Sequence, residues 1–125
     1  MTLDQLIARC TTIGVRVIFA PYELAGAYIH AVKLIVIDTR QAEGHQLATL
    51  AHEYFHALRG DEGTQGKRVE RLIDQRAARL LIDPFEYALA ERIFEGDSAA
   101  IAEEAGFPVW VIDAYKDTLE QIPTH

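Results

Sequence analysis

The sequence predicts a single α+β domain over residues 1–125, in which a small three-stranded sheet precedes a mostly helical second half. Three observations predict this fold class. Short β-branched segments between residues 15 and 38 show the patterning of strands. From Gln46 onward, apolar residues recur at helical spacing instead. No repeat, low-complexity tract or linker divides the chain.

The first third of the chain contains one helix and the three strands. Apolar residues at helical spacing predict a helix over residues 3–12, which ends near Gly14. The predicted strands cover residues 15–20, 27–30 and 34–38. Pro21 and Gly26 mark a turn region between the first two strands, so the sheet is built from closely spaced segments.

Helices account for the rest of the chain. An amphipathic helix is predicted from Gln46 to Gly60, where a glycine is typical of the first position after a helix end. A polar, glycine-rich loop over residues 60–66 follows. Asp83 and Pro84 provide an N-cap and a first helical residue for another helix. The remaining predicted helices span about 68–82, 98–105 and 109–121.

The charge of the chain is unevenly distributed. The 12 basic and 19 acidic residues give a net charge of −7, which argues against a protein whose main activity is to bind nucleic acid. The first 82 residues carry a net charge of +1, and the segment from Asp83 onward carries −8. The final two predicted helices have the order of a helix-turn-helix, but their acidity would repel phosphates. We therefore expect no direct contact with nucleic acid.

The sequence favours a soluble cytoplasmic protein. No segment approaches the roughly 20 apolar residues that a membrane span requires. The first ten residues include Asp4 and lack the basic and apolar regions of a signal peptide. Cys10, the single cysteine, cannot form an internal disulfide and is predicted to be a small buried residue.

The helix from Gln46 contains the motif His52-Glu53-Tyr54-Phe55-His56, an H-E-x-x-H. Because residues four apart share one face of a helix, both histidines can direct a ring nitrogen at one Zn²⁺ ion. Glu53 can then act as a general base without ligating the metal. The alternative is a pair of surface histidines on an amphipathic helix, but the complete motif favours a metal site.

A zinc site of this kind needs a third protein ligand. The next predicted helix offers Glu70 and Asp74, which lie four apart on one face. One could bind the metal while the other accepts a hydrogen bond from a ligating histidine. Alternatively, both belong to an exposed acidic row that pairs with neighbouring arginines. Spacing alone leaves the choice between Glu70 and Asp74 open.

These residues together resemble the ImmA/IrrE family of zinc-dependent metallopeptidases. The similarity lies in the H-E-x-x-H followed by an E-x-x-x-D-x-x-A-A-x-L-L pattern that begins at Glu70, with Ile73 where the family usually has alanine. The resemblance implies a zincin-like fold and a zinc cofactor held by His52, His56 and Glu70. It also implies that Asp74 orients a histidine and that Glu53 is the catalytic base.

The resemblance further implies a protein substrate, for example a helix-turn-helix repressor of a phage or another mobile element. Peptide hydrolysis also requires a donor to the developing oxyanion, and Tyr28, His30 and Tyr115 are the candidates. The predicted strand 27–30 is a candidate for pairing with an extended substrate. The alternative function is a non-catalytic, metal-containing regulator that binds a repressor or another protein.

Overall fold

A computed structural model describes residues 1–121 as an α+β domain with a three-stranded mixed sheet and six α-helices. This confirms the predicted fold class. The elements, in chain order, are α1 (Leu3–Thr12), β1 (Arg16–Ala20), β2 (Gly26–Ile29), β3 (Leu34–Asp38), α2 (Glu43–Arg59), α3 (Lys67–Leu81), α4 (Pro84–Ile93), α5 (Ser98–Ala105) and α6 (Val109–Glu120). Over these residues, no helix is both long enough and apolar enough to cross a membrane.

The sheet has the strand order β1-β3-β2, with β3 in the centre. Strand β1 runs parallel to β3, and β2 runs antiparallel to it. Ile35 and Ile37 of β3 are fully buried, because the central strand is covered by helices as well as by its two neighbours. Strand β2 is an edge strand that lies beside α2. The sheet therefore presents a free backbone edge next to the helix that carries the H-E-x-x-H motif.

The predicted element boundaries agree with the structure to within about one residue, with two exceptions. Helix α2 begins at Glu43, three residues before the predicted start at Gln46. The prediction missed the first turn because that turn is polar and lacks apolar periodicity. The assignment of His30 to a strand was wrong: β2 ends at Ile29, and His30 begins a short 3₁₀ turn. Lys33 ends that turn with a left-handed backbone, φ 49°.

Two apolar clusters form the core. The first joins α1 and the sheet to α2 and α3, and it includes the buried Cys10, as predicted. The second joins α4, α5 and α6 to the opposite faces of α2 and α3. Trp110 and Leu81 pack against both clusters. Helices α2 and α3 thus lie between the sheet and the C-terminal helices and contact both.

Two glycines allow α2 to approach its neighbours closely. A Cβ atom on Gly26 would lie 2.5 Å from Thr49 Cγ2, so β2 can run beside α2 only without a side chain there. A Cβ atom on Gly44 would lie 1.8 Å from the carbonyl oxygen of Gly106, in the turn between α5 and α6. The first turn of α2 is therefore packed directly against backbone.

This contact predicts that Gly44→Ala is destabilising, although alanine is normally the better residue inside a helix. The new methyl group must displace the Gly106 backbone, so we expect a loss of at least about 2 kcal/mol in the free energy of unfolding. The measurement is thermal or urea unfolding followed by circular dichroism. Gly66→Ala is the matched control, because a Cβ atom at Gly66 meets nothing within 4 Å. Equal stability of the two variants would contradict the packing described.

Candidate metal centre

Helix α2 directs the two histidines of the motif toward α3, beside the edge strand β2. Leu50, Ala51 and Tyr54 are buried in the first core cluster, and this orients the helix. His52 and His56 lie one turn apart, with ring centroids 4.8 Å apart. His56 is itself buried, at 7% exposure, so the alternative of two surface histidines does not hold.

Helix α3 brings a carboxylate to both rings. Glu70 Oε1 lies 2.9 Å from His56 Nε2 and 3.2 Å from His52 Nε2, and the two Nε2 atoms are 3.2 Å apart. In a tetrahedral zinc site, ligand atoms about 2.0–2.1 Å from the metal are about 3.3–3.4 Å from one another. The three atoms therefore form a triangle close to the size that a metal ion requires, and His52, His56 and Glu70 could hold one.

The hydrogen bonds around the rings indicate which nitrogens carry protons. His52 Nδ1 lies 2.8 Å from Asp74 Oδ1, and His56 Nδ1 lies 2.9 Å from Asp61 Oδ2. A neutral histidine that donates its Nδ1 proton to a carboxylate leaves Nε2 as an acceptor. Both Nε2 atoms and Glu70 Oε1 would then be acceptors without a proton between them. A cation at this point satisfies all three atoms.

Asp61 is the site residue that the sequence analysis missed. The chain reverses at Gly60, whose φ of 72° is left-handed, and Asp61 then folds back on the last turn of α2. There its carboxylate receives hydrogen bonds from His56 Nδ1 and from Arg59 Nε, at 2.9 and 3.0 Å. An acidic residue directly after the helix-ending glycine was the available signal, but its spacing matches no metal motif.

The polar loop before α3 holds the second oxygen of Glu70. The backbone N–H of Gln65 donates to Glu70 Oε2 at 3.2 Å, which leaves Oε1 directed at the two histidines. Asp74, one turn further along α3, reaches His52. Arg71 instead contacts Asp117 on α6, at 3.5 Å. Glu70 and Asp74 thus belong to the histidine cluster rather than to an exposed row of ion pairs.

Three side chains of the site have shifted pKa values, each for a different reason. Burial lowers the pKa of His52, but its hydrogen bond to Asp74 and the nearby carboxylates outweigh burial and raise it overall. Burial raises the pKa of Glu53, against the opposing influence of the two histidines. Burial also acts to raise the pKa of Asp61, yet its hydrogen bonds to His56 and Arg59 lower it overall. The site is thus an acidic pocket that favours positive charge.

A small cleft of about 210 Å³ opens onto this cluster. Glu53 lines it together with the metal-ligand candidates and Tyr28 of β2. The Tyr28 hydroxyl lies 3.0 Å from His30 Nδ1, and burial raises its pKa. On the other side, Trp110 of α6 meets the ring of His52 edge-on, at a centroid distance of 5.9 Å. The cleft therefore lies between the edge strand and the loop before α3, and Trp110 lines a neighbouring cleft on the other side of His52.

The three candidate oxyanion donors occupy different places. Tyr28 lines the cleft, and the ring of His30 contacts the ring of Tyr28 edge-on. Tyr115 is 7% exposed and packs against Tyr87, with ring centroids 4.7 Å apart, inside the second core cluster. The structure thus brings Tyr28 and His30 to the site but places Tyr115 in the core, because Tyr115 projects from α6 toward α4.

Comparison with known proteins agrees with this geometry. The family model Peptidase_M78, described as an IrrE N-terminal-like domain, matches residues 10–114. The matched region contains the sheet, the H-E-x-x-H helix and every residue of the histidine cluster. No curated protein matches the chain.

The geometry predicts graded effects on metal binding. Glu70→Ala removes a ligand atom, so we expect stoichiometric binding of Zn²⁺ to be lost. Asp61→Asn and Asp74→Asn weaken only the support of a histidine, and we expect the affinity for Zn²⁺ to fall about 10–100-fold in each. The measurement is competition of the purified chain with a chromogenic zinc chelator.

Glu62→Gln is the matched control for Asp61→Asn, because the Glu62 side chain is the next in sequence and 80% exposed. Its affinity for Zn²⁺ should equal that of the unmodified chain. Unchanged affinity in Asp61→Asn would remove Asp61 from the site. If Asp74→Ala abolished binding while Glu70→Ala retained it, the roles of the two acids would be exchanged.

Proposed function

Because the chain belongs to the Peptidase_M78 family, whose model matches most of its length, we propose that it is a zinc-dependent metalloendopeptidase that hydrolyses peptide bonds. The observation that carries the proposal is the convergence of His52 Nε2, His56 Nε2 and Glu70 Oε1 beside Glu53, at the floor of an open cleft. A structural zinc site closes its fourth position with a protein ligand, whereas a catalytic site leaves it open.

Zinc is the proposed metal, in keeping with the H-E-x-x-H motif. Two imidazoles and one carboxylate are typical ligands of catalytic zinc. When bound, the metal supplies Lewis-acid chemistry, which polarises a peptide carbonyl and makes water acidic enough to be deprotonated near neutral pH. The carboxylates of Asp74 and Asp61 accept hydrogen bonds from the Nδ1–H groups of His52 and His56. The protons therefore stay on Nδ1, and both Nε2 atoms remain available as ligands.

Glu53 is the proposed catalytic base. It follows His52 directly, so its carboxylate lies beside the ligand triangle and lines the same cleft. It would accept a proton from the attacking water and deliver that proton to the amine of the leaving fragment.

Tyr28 is the proposed donor to the oxyanion. If His30 Nδ1 donates its proton to the Tyr28 oxygen, the phenolic proton is left to point into the cleft, where a peptide carbonyl would lie. The edge of β2 runs beside this cleft and is the proposed site of pairing with an extended substrate. Strand pairing would then place the scissile bond between Tyr28 and Glu53.

The proposed substrate is a protein, and the family resemblance makes a helix-turn-helix repressor of a phage or mobile element the first candidate. We place this reaction in the cytoplasm, without direct contact of this chain with nucleic acid or membrane. The acidic charge of the C-terminal helices supports the absence of contact with nucleic acid, because it disfavours binding to phosphates. A repressor gene adjacent to the gene for this chain would strengthen the assignment.

The first test of the activity is Glu53→Gln, which removes the base but no metal ligand. We expect the variant to retain about one zinc ion per chain by elemental analysis and to lose cleavage by about 100-fold to 10,000-fold. Cleavage is measured on a library of peptides from a digested proteome, with new amino termini identified by mass spectrometry. Glu23→Gln, at an exposed position in the loop before β2, is the matched control.

The two candidate functions give different outcomes in this experiment. A peptidase requires that the zinc-loaded chain generate new termini and that Glu53→Gln generate none. If the zinc-loaded chain produced no new termini, or if Glu53→Gln cleaved as well as the unmodified chain, the proposed mechanism would be wrong. Absence of cleavage with zinc retained would favour the non-catalytic regulator.

Tyr28→Phe tests the oxyanion donor. Loss of the hydroxyl removes a hydrogen bond made in the transition state, so kcat should fall about 10–100-fold while KM changes little. The measurement is steady-state hydrolysis of a peptide identified in the library. Tyr115→Phe is the matched control, because Tyr115 lies in the second core cluster. Equal kcat values for the two variants would exclude Tyr28 from this role.

A further inference from the structure

A second and larger cavity lies away from the metal centre, between α4, α5 and α6. Its volume is about 500 Å³, and its lining is mostly apolar. We call it the α4–α6 groove. Ile101 and Ile112 form part of its buried floor, while Leu89 and Ile93 of α4 stand at its rim. The metal centre uses none of these residues, so the groove is separate from the site described above.

Helix α4 exposes three large apolar side chains, of which Leu89 and Ile93 line the groove and Phe85 continues the row beyond it. Leu89 is 60% exposed and Ile93 is 62% exposed, and Phe85, one turn before Leu89, is 87% exposed. These three residues are spaced four apart and therefore follow one side of the helix over about 12 Å. A contiguous apolar strip of this kind is typical of an interaction surface. Its length suits an elongated partner.

Acidic side chains line the groove on one side of the apolar strip, while Arg92, three residues after Leu89, lies on the other side of the strip and outside the groove lining. Asp83, Glu86 and Glu104 line the groove, and no lysine or arginine does so in the described part of the chain. From Asp83 onward the sequence holds only two basic residues, Arg92 and Lys116. The Lys116 ammonium group donates hydrogen bonds to Gly96 O and Ser98 Oγ, so it is already engaged within the domain. The groove therefore offers apolar contact within a negative potential.

We propose that the α4–α6 groove binds an amphipathic basic helix of a protein partner. Such a helix would place its apolar residues against Leu89, Ile93 and the floor, and its lysines or arginines beside Glu86 and Glu104. A symmetric contact with α4 of a second copy is disfavoured, because it would set carboxylates against carboxylates. An anionic membrane is disfavoured by the same charge.

Helix α6 separates this surface from the metal centre. Trp110 lies on the side of α6 that faces His52, whereas Ile112 lines the groove. Binding in the groove thus leaves the cleft beside Glu53 open. The proposal does not depend on the proposed peptidase activity, and the experiments below measure binding alone.

The probe is a fluorescein-labelled peptide of leucine and lysine, about 18 residues long, with its leucines along one helical face. Fluorescence anisotropy should show saturable binding to the unmodified chain. Two comparison peptides test the chemistry: one with glutamate in place of lysine, and one of identical composition with the periodicity scrambled. Each should bind at least about tenfold more weakly.

Exposed positions allow variants that leave the fold intact. Leu89→Ser combined with Ile93→Ser should weaken binding of the basic peptide at least about tenfold. Leu58→Ser combined with Val32→Ser is the matched control, since both residues are exposed and lie outside the groove. Glu86→Gln combined with Glu104→Gln should weaken binding about threefold to tenfold and reduce its dependence on salt.

Several outcomes would overturn the proposal. They are the absence of saturable binding, equal binding of the acidic or scrambled peptide, and unchanged affinity in the Leu89→Ser and Ile93→Ser variant. Sedimentation velocity adds a separate criterion. If the unmodified chain formed dimers that this double variant abolished, the groove would be an interface between copies of the chain, and the basic-helix proposal would be wrong.

Discussion

Each histidine of the cluster is paired with a carboxylate through its Nδ1 atom, and this pairing requires the surrounding elements to lie close together. His52 is paired with Asp74 of α3, and His56 with Asp61 just after α2. An imidazole ring that was free to rotate about χ2 would not keep its Nε2 atom aimed at one point. Since the two partners come from different segments, both α3 and the loop that precedes it must lie close to α2.

The packing of small residues makes that proximity possible. Ala48 and Ala51 of α2 and Ala77 and Ala78 of α3 are fully buried, and short side chains let helix axes approach. Gly44 does the same for the first turn of α2 against the turn between α5 and α6. The apolar clusters on either side of α2 and α3 therefore position the site, and its polar groups need not supply that stability themselves.

The sequence analysis succeeded where a short-range pattern determines the structure. The H-E-x-x-H motif lies within one helix, so its spacing alone predicts a shared face for His52 and His56. The need for a third ligand pointed to Glu70 and Asp74, but the choice of Glu70 rested on the family resemblance, because a turn of unknown geometry intervenes. Asp61 was missed for the same reason: its role depends on the left-handed backbone at Gly60 and on the loop that follows. The sequence around Tyr115 does not show whether its side chain lies in a cleft or in the core.

The distribution of acidic residues gains a different meaning once the fold is known. The first 82 residues are nearly neutral in total, yet they concentrate Glu53, Asp61, Glu70 and Asp74 around two histidines. Such a cluster is unfavourable without compensating positive charge, because carboxylates that repel one another are also partly desolvated. Arg59 compensates Asp61 only. A bound divalent cation would offset the remaining repulsion among the carboxylates. The acidic surroundings would therefore raise the affinity of the site for a metal.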